Sequence, residues 1–250
     1  MNIRSKEKNN EKDPRGSHGN IPLSISFVMP MFNERASIGN TVKEIKSLAG
    51  ELTHDFEIII VDDASTDGSG DIVDGMAQRD DTIRSFRLKS NTKFGGAFAE
   101  CFRQASKDVI VYLDSDMPVS SEDVRESFPL IFEADIVTGF SRVKKGDTVK
   151  RKFISGVYNL MVQSLFRLNI KDINSGYKIV RRELVKDLNF RSLSPFIDVE
   201  LFLHARDRNA TVVQYPLVFC QRQGGRSHIT GVPIILATFR DMIKLKFTAG

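Results

Sequence analysis

The 250-residue sequence contains few cysteines and histidines, which limits the chemistry open to the protein. Its two cysteines, Cys101 and Cys220, are far apart in apolar surroundings, so we expect reduced core thiols in a cytosolic protein. The four histidines are scattered along the chain, and no His/Cys cluster has the spacing of a zinc site. A disulfide-rich protein and a zinc enzyme are therefore disfavoured.

Long hydrophobic segments are also absent. The longest candidate, Val232–Phe239, is about half of the ~20 residues that a membrane-spanning helix needs. Residues 1–20 are polar and lack the apolar segment of a secretory signal, so we predict a disordered tail there. No linker follows this tail, and residues 21–250 are predicted to form a single domain.

Two glycine-rich fingerprints of nucleotide-binding enzymes are missing as well. No G-x-G-x-x-G follows the first apolar segment, and no G-x-x-x-x-G-K-S/T occurs in the chain. A nicotinamide-dependent dehydrogenase and a P-loop ATPase are therefore disfavoured. Nucleic-acid binding is disfavoured too, because the basic residues are not interleaved with aromatic ones and no helix-turn-helix signature is visible.

The first half of the chain alternates short apolar segments with segments of helical periodicity. We predict five strands, at 24–31, 56–61, 83–88, 109–113 and 135–139, and four helices, at 36–49, 69–79, 96–106 and 121–133. This alternation indicates an α/β fold with a mostly parallel central sheet and helices on both faces. In the second half we predict helices at 153–167, 196–207 and 233–247, with strands at 174–180 and 211–219.

Positive charge is concentrated late in the chain. The segment RVKKGDTVKRK, residues 142–152, carries six Lys/Arg against one Asp, and residues 221–250 carry five against one. Such clusters favour an anionic substrate or the headgroups of a membrane. A solvated loop and an amphipathic end would show the same composition, so charge alone leaves both interpretations open.

Carboxylates follow three of the predicted strands, in the segments VMPMFNE, VDDASTDGS and VYLDSDMP. Because ligands of open α/β sheets bind beyond the carboxyl ends of the strands, we expect these groups to share a site. Asp62–Gly68 by itself would also suit a turn and a helix cap. Asp114 and Asp116 are hard oxygen ligands on one side of an extended chain, and they predict a Mg²⁺ or Mn²⁺ site completed by a diphosphate.

Together these motifs resemble family 2 of the glycosyltransferases, which has the GT-A nucleotide-sugar-binding fold. The segments GFSR (139–142), KRKFIS (150–155), DINSGYKIVRREL (172–184), FIDVE (196–200) and RQGGRSH (222–228) resemble its dolichol-phosphate mannosyltransferase branch. The resemblance implies inverting transfer of a sugar, with mannose favoured, from a nucleoside diphosphate sugar to dolichyl or polyprenyl phosphate. The implied donor is GDP-mannose, with UDP-glucose next.

The resemblance also implies roles for individual residues. It places the nucleotide at Pro30, Phe32, Glu34, Val61 and Asp63, and the metal and diphosphate at Asp114, Ser115 and Asp116. The donor contacts continue at Arg142, Arg222 and His228, and the acceptor phosphate meets Arg142, Arg151 and Ser155. Of these, Asp116 and Arg142 are the residues we expect to be catalytic.

The expected acceptor explains why no strong general base is evident. A phosphate monoester is largely dianionic at pH 7 and is already a nucleophile, so it needs neighbouring positive charge more than a base. We read the end of the chain, TFRDMIKLKF, as a helix lying in a membrane interface, with Met242, Ile243, Leu245 and Phe247 towards lipid. The protein would then act on the cytosolic face of a membrane, at its surface or through a membrane partner protein.

Two alternatives remain open from the sequence. A glycosyltransferase with a soluble glycan acceptor would need a carboxylate base, and Asp198 or Glu200 are the candidates. A non-catalytic nucleotide-sugar-binding protein is favoured by departures from the family pattern. Phe32 replaces a tyrosine, Pro118 stands near the metal where a Gln or Ser is found, and His228 replaces a lysine.

Overall fold

An eight-stranded sheet forms the centre of the structure, which is a computed structural model that describes residues 1–6, 23–117, 119–141, 149–218 and 232–248. The strands are β1 Asn2–Ser5, β2 Ile25–Met31, β3 Phe56–Asp62, β4 Ile83–Arg87, β5 Val109–Leu113, β6 Ile136–Ser141, β7 Tyr177–Arg181 and β8 Thr211–Leu217. The helices are α1 Ile38–Leu52, α2 Ser69–Ala77, α3 Lys93–Gln104, α4 Ser121–Ser127, α5 Val149–Phe166, α6 Arg182–Val185, α7 Ile197–Asp207 and α8 Val232–Thr248. A 3₁₀ helix, Phe128–Phe132, follows α4.

The strand order is β1-β8-β6-β7-β5-β2-β3-β4. Among the strands described, β7 alone runs antiparallel to its neighbours, β5 and β6, and every other pairing is parallel. The predicted mostly parallel α/β sheet is therefore confirmed. Because β2, β3, β5 and β6 run in the same direction, their carboxyl ends meet at one edge of the sheet.

The sheet is buried on both faces, which explains its nearly continuous apolar strands. Phe27 and Met29 pack on one face with α1, α2 and α4, whereas Val28 packs on the other with α3, α5, α7 and α8. Ile58–Val61 in β3 has no exposed surface at all. Burial of a side chain of this size contributes about 1.5–3 kcal/mol.

The predicted elements are present, with boundaries shifted by a few residues. The largest difference is in the helix predicted over 121–133, which changes at Phe128 from α4 into the 3₁₀ helix. Pro129 explains the change, because a proline inside an α-helix lacks the N–H donor and its ring clashes with the preceding turn. α3 begins at Lys93, three residues before the predicted start of its helix.

The amino-terminal prediction is wrong for residues 2–5, which form the edge strand β1 instead of part of a disordered tail. β1 pairs in parallel with β8, with Ile3 opposite Val212. Met1 and Ile3 also pack against the core on the α7 side of the sheet. The strand covers the backbone groups that β8 would otherwise present to solvent. Residues 7–22 lie outside the described residues, so the rest of the predicted tail stays a prediction.

Candidate active site

The loops after β2 and β3 are joined by hydrogen bonds at the carboxyl edge of the sheet. Asn33 N donates to Ser65 Oγ at 2.9 Å, and Thr66 N donates to Asn33 Oδ1 at 2.8 Å. Arg35 N donates to Asp67 Oδ2 at 2.9 Å, and Asp67 also accepts from Ser69 N at 2.9 Å. Asp67 therefore has the turn and capping role that its sequence context allowed, and the two loops form one surface.

Unfavourable backbone conformations are concentrated at this edge. Asn33, Ala64, Lys93 and Met117 have φ values of 56°, 61°, 67° and 46°, in the left-handed region that side chains other than glycine rarely adopt. Each follows or adjoins the end of a strand, or starts the helix beside it. Backbone strain of this kind costs about 1–3 kcal/mol per residue and is typical of functional sites.

A cavity of about 780 Å³ opens at the same edge. It brings together six residues that the sequence predicted for the donor site: Pro30, Phe32, Glu34, Asp63, Asp114 and Ser115. Its other walls come from Asn91, Lys93, Phe94 and Ala97 near the start of α3, from Leu193–Pro195, and from Ile234, Ala237, Arg240 and Asp241 of α8. The cavity is large enough for a ligand of nucleotide size.

The remaining predicted residues have different positions. Val61 is fully buried in the core beneath α3, so its side chain does not line the cavity. Asp116 follows Ser115 and is half-buried, but it is not among the residues that line the cavity. Arg142, Arg222, His228 and Pro118 lie outside the described residues, and Arg151 and Ser155 fall in the first turns of α5, where side chains are not described. Their predicted roles stay predictions.

Asp63 is held in place by the turn before α3. Its Oδ1 accepts hydrogen bonds from Thr92 N at 2.5 Å and from Thr92 Oγ1 at 2.8 Å, and Asn91 donates to its carbonyl at 3.2 Å. Burial raises the pKa of Asp63 above its usual value, and the bonds from Thr92 oppose that change. Because these hydrogen bonds hold the Asp63 carboxylate in one position, it offers a fixed contact to a ligand in the cavity.

Gly95 allows another part of the chain to close against α3. A Cβ at this position would lie 2.3 Å from the Ser192 carbonyl oxygen and 2.7 Å from Leu193 Cα. Gly95 N also donates to Leu193 O at 3.0 Å. The loop at 192–193 therefore packs directly against the backbone of α3, and its Leu193 lines the cavity.

The two carboxylates of the predicted metal site lie on a turn. Met117 N donates to Asp114 O at 3.0 Å, which closes a turn through Ser115 and Asp116. The expectation of an extended segment is therefore wrong here, since the left-handed Met117 reverses the chain directly after β5. The Tyr112 hydroxyl donates to Asp114 Oδ1 at 2.8 Å, and Asp114 N donates to Gly176 O at 3.1 Å, so both side chain and backbone of Asp114 are oriented.

The chemistry of this donor set fits a hard divalent cation. Within the described residues, no group of three or more His, Cys, Asp or Glu side chains could enclose a metal ion. Asp114 and Asp116 supply two carboxylates, which is the usual protein contribution to Mg²⁺ or Mn²⁺ when waters and substrate phosphates complete the shell. The predicted metal residues are thus compatible with such an ion.

The carboxylates proposed as bases for a soluble acceptor are engaged inside the fold. Asp198 is 1% exposed and lies 2.8 Å from Nζ of Lys178, which is itself fully buried. Burial raises the pKa of Asp198 to about 6, while the Lys178 ammonium opposes the rise. Glu200 accepts from Arg191 N at 2.8 Å and from the Ser192 hydroxyl, and it therefore shapes the loop beside the cavity. Neither side chain lines the cavity.

α8 packs on the domain through part of the face that was predicted to meet lipid. Met242 is 2% exposed and Leu245 packs against the core, so the predicted lipid contacts of these two residues are wrong. Ser194 Oγ donates to Asp241 Oδ2 at 2.7 Å and holds the helix against the cavity loop. Among the side chains of α8 that the structure describes, the exposed apolar ones are Leu236 and Ile243, seven positions apart and therefore on one face. The side chain of Phe247 lies outside the described residues. None of the helices in the described ranges has the length and hydropathy needed to cross a membrane.

The sequence motifs did not indicate the cavity walls that α3, the 193–195 loop and α8 contribute. Arg240 lines the cavity that also contains Asp114, although no sequence motif assigned it to the donor site. Leu193–Pro195 had no motif that marked it as part of a site. These residues reach the cavity by packing between elements distant in sequence, and no local pattern reports such packing.

The chain is similar to a known family and to several of its members. The model of the family described as "Glycosyl transferase family 2" matches residues 26–188. "Undecaprenyl-phosphate mannosyltransferase" of Micrococcus luteus is 27% identical over 219 residues, covering 84% of this chain and 88% of that protein. "Undecaprenyl-phosphate 4-deoxy-4-formamido-L-arabinose transferase" of Pseudomonas syringae pv. syringae is 29% identical over 221 residues, covering 88% of this chain. The match spans 64% of the Pseudomonas protein, less than two thirds of its length.

A solved structure shares the fold over most of the chain. It is glucosyl-3-phosphoglycerate synthase from Mycobacterium tuberculosis in complex with Mn²⁺, uridine diphosphate and glucosyl-3-phosphoglycerate. The TM-score is 0.71 at 20% sequence identity, and the match covers 96% of this chain and 85% of that one. At this identity the likeness concerns the fold alone, and it confirms the predicted GT-A fold class.

Proposed function

The chain belongs to glycosyl transferase family 2 and is a glycosyltransferase, and we propose that it transfers a sugar from a nucleoside diphosphate donor to a polyprenyl phosphate. The observation that carries the proposal is the cavity at the carboxyl edge of the sheet. Residues from the ends of β2, β3 and β5 line this one space, as a nucleotide-sugar site requires. The names of the relatives from Micrococcus and Pseudomonas support a lipid phosphate as acceptor.

On the donor side, Pro30, Phe32, Glu34 and Asp63 bound the space for the nucleoside, and Asp114 and Ser115 bound the space for the diphosphate. Asp114 and Asp116 are the residues that would hold Mg²⁺ or Mn²⁺. When bound, such an ion offsets the negative charge that builds on the departing nucleoside diphosphate. Asp114 is already oriented for this role by Tyr112 and Gly176. GDP-mannose is the donor we favour, with UDP-glucose as the alternative.

On the acceptor side, a phosphate fits the residues better than a hydroxyl does. Asp198 and Glu200, the bases that a soluble glycan acceptor would have used, are engaged in the fold. A polyprenyl phosphate carries its own nucleophilic oxygen, and attack on the anomeric carbon from the side opposite the diphosphate inverts that centre. We assign Arg142, Arg151 and Ser155 to the acceptor phosphate, where positive charge offsets the approach of two phosphates.

A membrane surface is the place where such an acceptor is met. Leu236 and Ile243 of α8 are 64% and 57% exposed, and the exposed Lys244 lies beside them. Exposed apolar residues next to a basic one favour contact with lipid tails and anionic headgroups. We therefore propose a peripheral position on the cytosolic face, either by direct contact or through a membrane partner protein.

Donor identity is tested by a thermal-shift panel of GDP, UDP, GDP-mannose and UDP-glucose with Mn²⁺ or Mg²⁺. Ligand binding to the folded state raises the melting temperature by mass action, so the true donor should give the largest shift. Asp116→Ala should abolish the metal-dependent part of that shift. Asp81→Ala is the matched control, because Asp81 is exposed and precedes β4, at the end of the sheet where the parallel strands begin. This variant should keep the metal-dependent shift. Equal shifts with all four compounds would contradict a selective donor site.

The acceptor assignment is tested with Arg142→Ala in a transfer assay with polyprenyl phosphate in vesicles. Loss of one charge-assisted contact to a phosphate should reduce kcat/KM by roughly 100-fold or more. Arg103→Ala on α3, which removes an exposed arginine paired with Glu100, is the control. Transfer by Arg142→Ala at the wild-type rate would remove Arg142 from the site.

A further inference from the structure

A fully buried lysine lies behind the carboxylates of the donor site. Lys178 is in β7, directly opposite Tyr112 of β5 and Thr138 of β6. Its Nζ is 2.8 Å from Asp198 Oδ1 and 5.5 Å from the centroid of the Tyr112 ring. The same Nζ donates to the carbonyl oxygen of Ser175. Two of these three partners, Tyr112 and Ser175, connect Lys178 to Asp114.

Lys178 is connected to the side chain of Asp114 through Tyr112. The ammonium lies near the face of the Tyr112 ring, and the hydroxyl of that ring donates to Asp114 Oδ1 at 2.8 Å. Tyr112 is 1% exposed, so its hydroxyl lies inside the protein where Asp114 Oδ1 accepts its hydrogen bond. A cation at the ring face holds the ring in the orientation from which its hydroxyl reaches Asp114.

Lys178 is also connected to the backbone of Asp114. It binds the carbonyl oxygen of Ser175, and the next carbonyl, that of Gly176, accepts Asp114 N at 3.1 Å. The lysine therefore holds the turn that fixes where the chain leaves β5. The side chain of Asp114 is thus linked to the Lys178 ammonium through Tyr112. Its backbone is linked to the same ammonium through the neighbouring carbonyl groups of Ser175 and Gly176.

Fold stability alone gives little reason for this arrangement. Taking an ammonium and a carboxylate out of water is unfavourable, and replacing a buried ion pair by apolar residues of similar volume is often neutral or stabilising. The positions themselves are suited to apolar residues, since Val180 in β7 and Ile197 in α7 are fully buried in the same core. The pair therefore adds little stability that apolar residues at these positions would not also supply.

We propose that Lys178, neutralised by Asp198, is a positioning residue that holds Asp114 for the divalent cation of the donor site. The inference rests on the proposed function, and it deepens the assignment of Asp114 as a metal ligand. Asp198 has a defined part in it, because an unpaired buried ammonium would itself attract Asp114 and compete with the metal ion. Groups that orient metal ligands in this way commonly change metal affinity by 10–100-fold when they are removed.

The test is Mn²⁺ binding to the purified full chain, measured by electron paramagnetic resonance with and without GDP or UDP. The informative variant is the double substitution Lys178→Met with Asp198→Leu, which replaces the pair by apolar residues of similar size. We expect its melting temperature without metal to stay near that of the wild type and its affinity for Mn²⁺ to fall by roughly 10–100-fold. Lys107→Met, which removes a lysine paired with Asp55 at the opposite edge of the sheet, is the matched control and should bind Mn²⁺ normally.

Tyr112→Phe provides a second reading that does not depend on the double variant folding. It removes only the hydroxyl that reaches Asp114, and we expect a roughly 3–10-fold loss of Mn²⁺ affinity in a folded protein. If the double variant or Tyr112→Phe is folded and binds Mn²⁺ as the wild type does, the pair is structural only and the proposal is overturned.

Loss of the positioning role and loss of the proposed function would give different experimental results. Wild-type protein that binds no Mn²⁺ under any of these conditions would remove the metal site, and with it the role of Lys178. Wild-type protein that binds Mn²⁺ through Asp116 but transfers no sugar to polyprenyl phosphate would overturn the proposed function. In that case the Mn²⁺ affinities of the Lys178/Asp198 and Tyr112 variants would still decide the positioning role.

Discussion

The parallel strands of the central sheet begin at its amino edge and end at its carboxyl edge. These two edges use the same types of polar residue in opposite ways. At the amino edge, Glu57 Oε1 accepts from Ser26 Oγ at 2.6 Å and from Ser106 N at 2.7 Å, and Glu57 Oε2 accepts from Arg84 at 2.6 Å. Asp108 accepts from both the backbone and the hydroxyl of Ser24. These carboxylates tie the starts of neighbouring strands together, and their contacts are made within the protein.

At the carboxyl edge, carboxylates and strained residues surround a cavity instead. Asp63 and Asp114 line it, and each is held by a hydroxyl from Thr92 or Tyr112. Four of the six left-handed residues other than glycine in the described chain occur beside it, and another, Asn209, precedes β8 at the amino edge. A carboxylate next to a strand therefore indicates function only when the direction of that strand in the sheet is known, because the direction decides which edge the carboxylate lies on.

The largest difference between the edges should appear in activity. Asp114→Asn removes one negative metal ligand, and a loss of about 4 kcal/mol of transition-state stabilisation corresponds to a ~1000-fold fall in transfer kcat/KM. The melting temperature without metal should change by less than about 2 °C. A variant with near-normal transfer would show that Asp114 is not a metal ligand, and one that unfolds would make the carboxyl edge structural.

At the amino edge the corresponding substitution should act on stability. Glu57→Gln weakens hydrogen bonds from Ser26, Ser106 and Arg84 to a buried group, and we expect a loss of about 2 kcal/mol in the free energy of unfolding. For a chain of this length that is roughly 4–8 °C in melting temperature. Transfer activity per folded molecule should stay at the wild-type level. A catalytic defect in a stable Glu57→Gln protein would break the distinction between the two edges.

The edges should also differ in the sign of their pH dependence. Burial alone would raise the pKa of Glu57, but bonds from Ser26, Arg84 and Ser106 outweigh it and lower the pKa below 4.5. Ionised Glu57 therefore stabilises the fold above the unfolded pKa, and this contribution is lost as the pH falls through the folded pKa. Burial raises the pKa of Asp63 above 3.8, so its contribution is greatest at low pH and declines as the pH rises through the folded pKa.

Melting temperatures of the wild type, Glu57→Gln and Asp63→Asn between pH 3 and pH 7 measure these contributions. The advantage of the wild type over Glu57→Gln should grow with rising pH, and its advantage over Asp63→Asn should shrink. Parallel curves for the two comparisons would contradict the electrostatic contrast between the edges.

The smallest expected effect concerns backbone strain. Ala64 has φ 61°, so Ala64→Gly should relieve strain and stabilise the protein by about 0.5–1 kcal/mol. The same substitution at Ala99, inside α3, should destabilise by about the same amount, because glycine is a poorer helix former than alanine. Denaturant unfolding of both variants measures these changes in the free energy of unfolding. A less stable Ala64→Gly protein would contradict the presence of strain at Ala64.

The sequence predicted the carboxyl edge well because its signals are local. Apolar strands that end in Asp62–Asp63 and Asp114–Asp116 locate the edge without any long-range information. β1 was missed, since four residues isolated by a polar stretch show no useful periodicity. Lys178 was missed because a lysine in a strand is normally exposed, and its burial depends on Asp198 twenty residues later.

The packing of α8 shows a second limit. Its alternating basic and apolar residues suggested a lipid-facing helix, yet Met242 is buried and Arg240 lines the cavity. The composition of a helix indicates that it has two faces, but which face meets the domain depends on the partner surface. Here that surface includes the 192–195 loop, which is held by Gly95 and Glu200.

The most direct test of the account is transfer of a labelled sugar to polyprenyl phosphate in vesicles by the full chain with Mn²⁺. We predict a lipid-linked product from one nucleoside diphosphate sugar, abolished by a chelator and reduced at least ~1000-fold by Asp116→Ala. Asp81→Ala should make the product at the wild-type rate. Undiminished product from Asp116→Ala, or transfer to a soluble glycan with none to the lipid phosphate, would contradict the account.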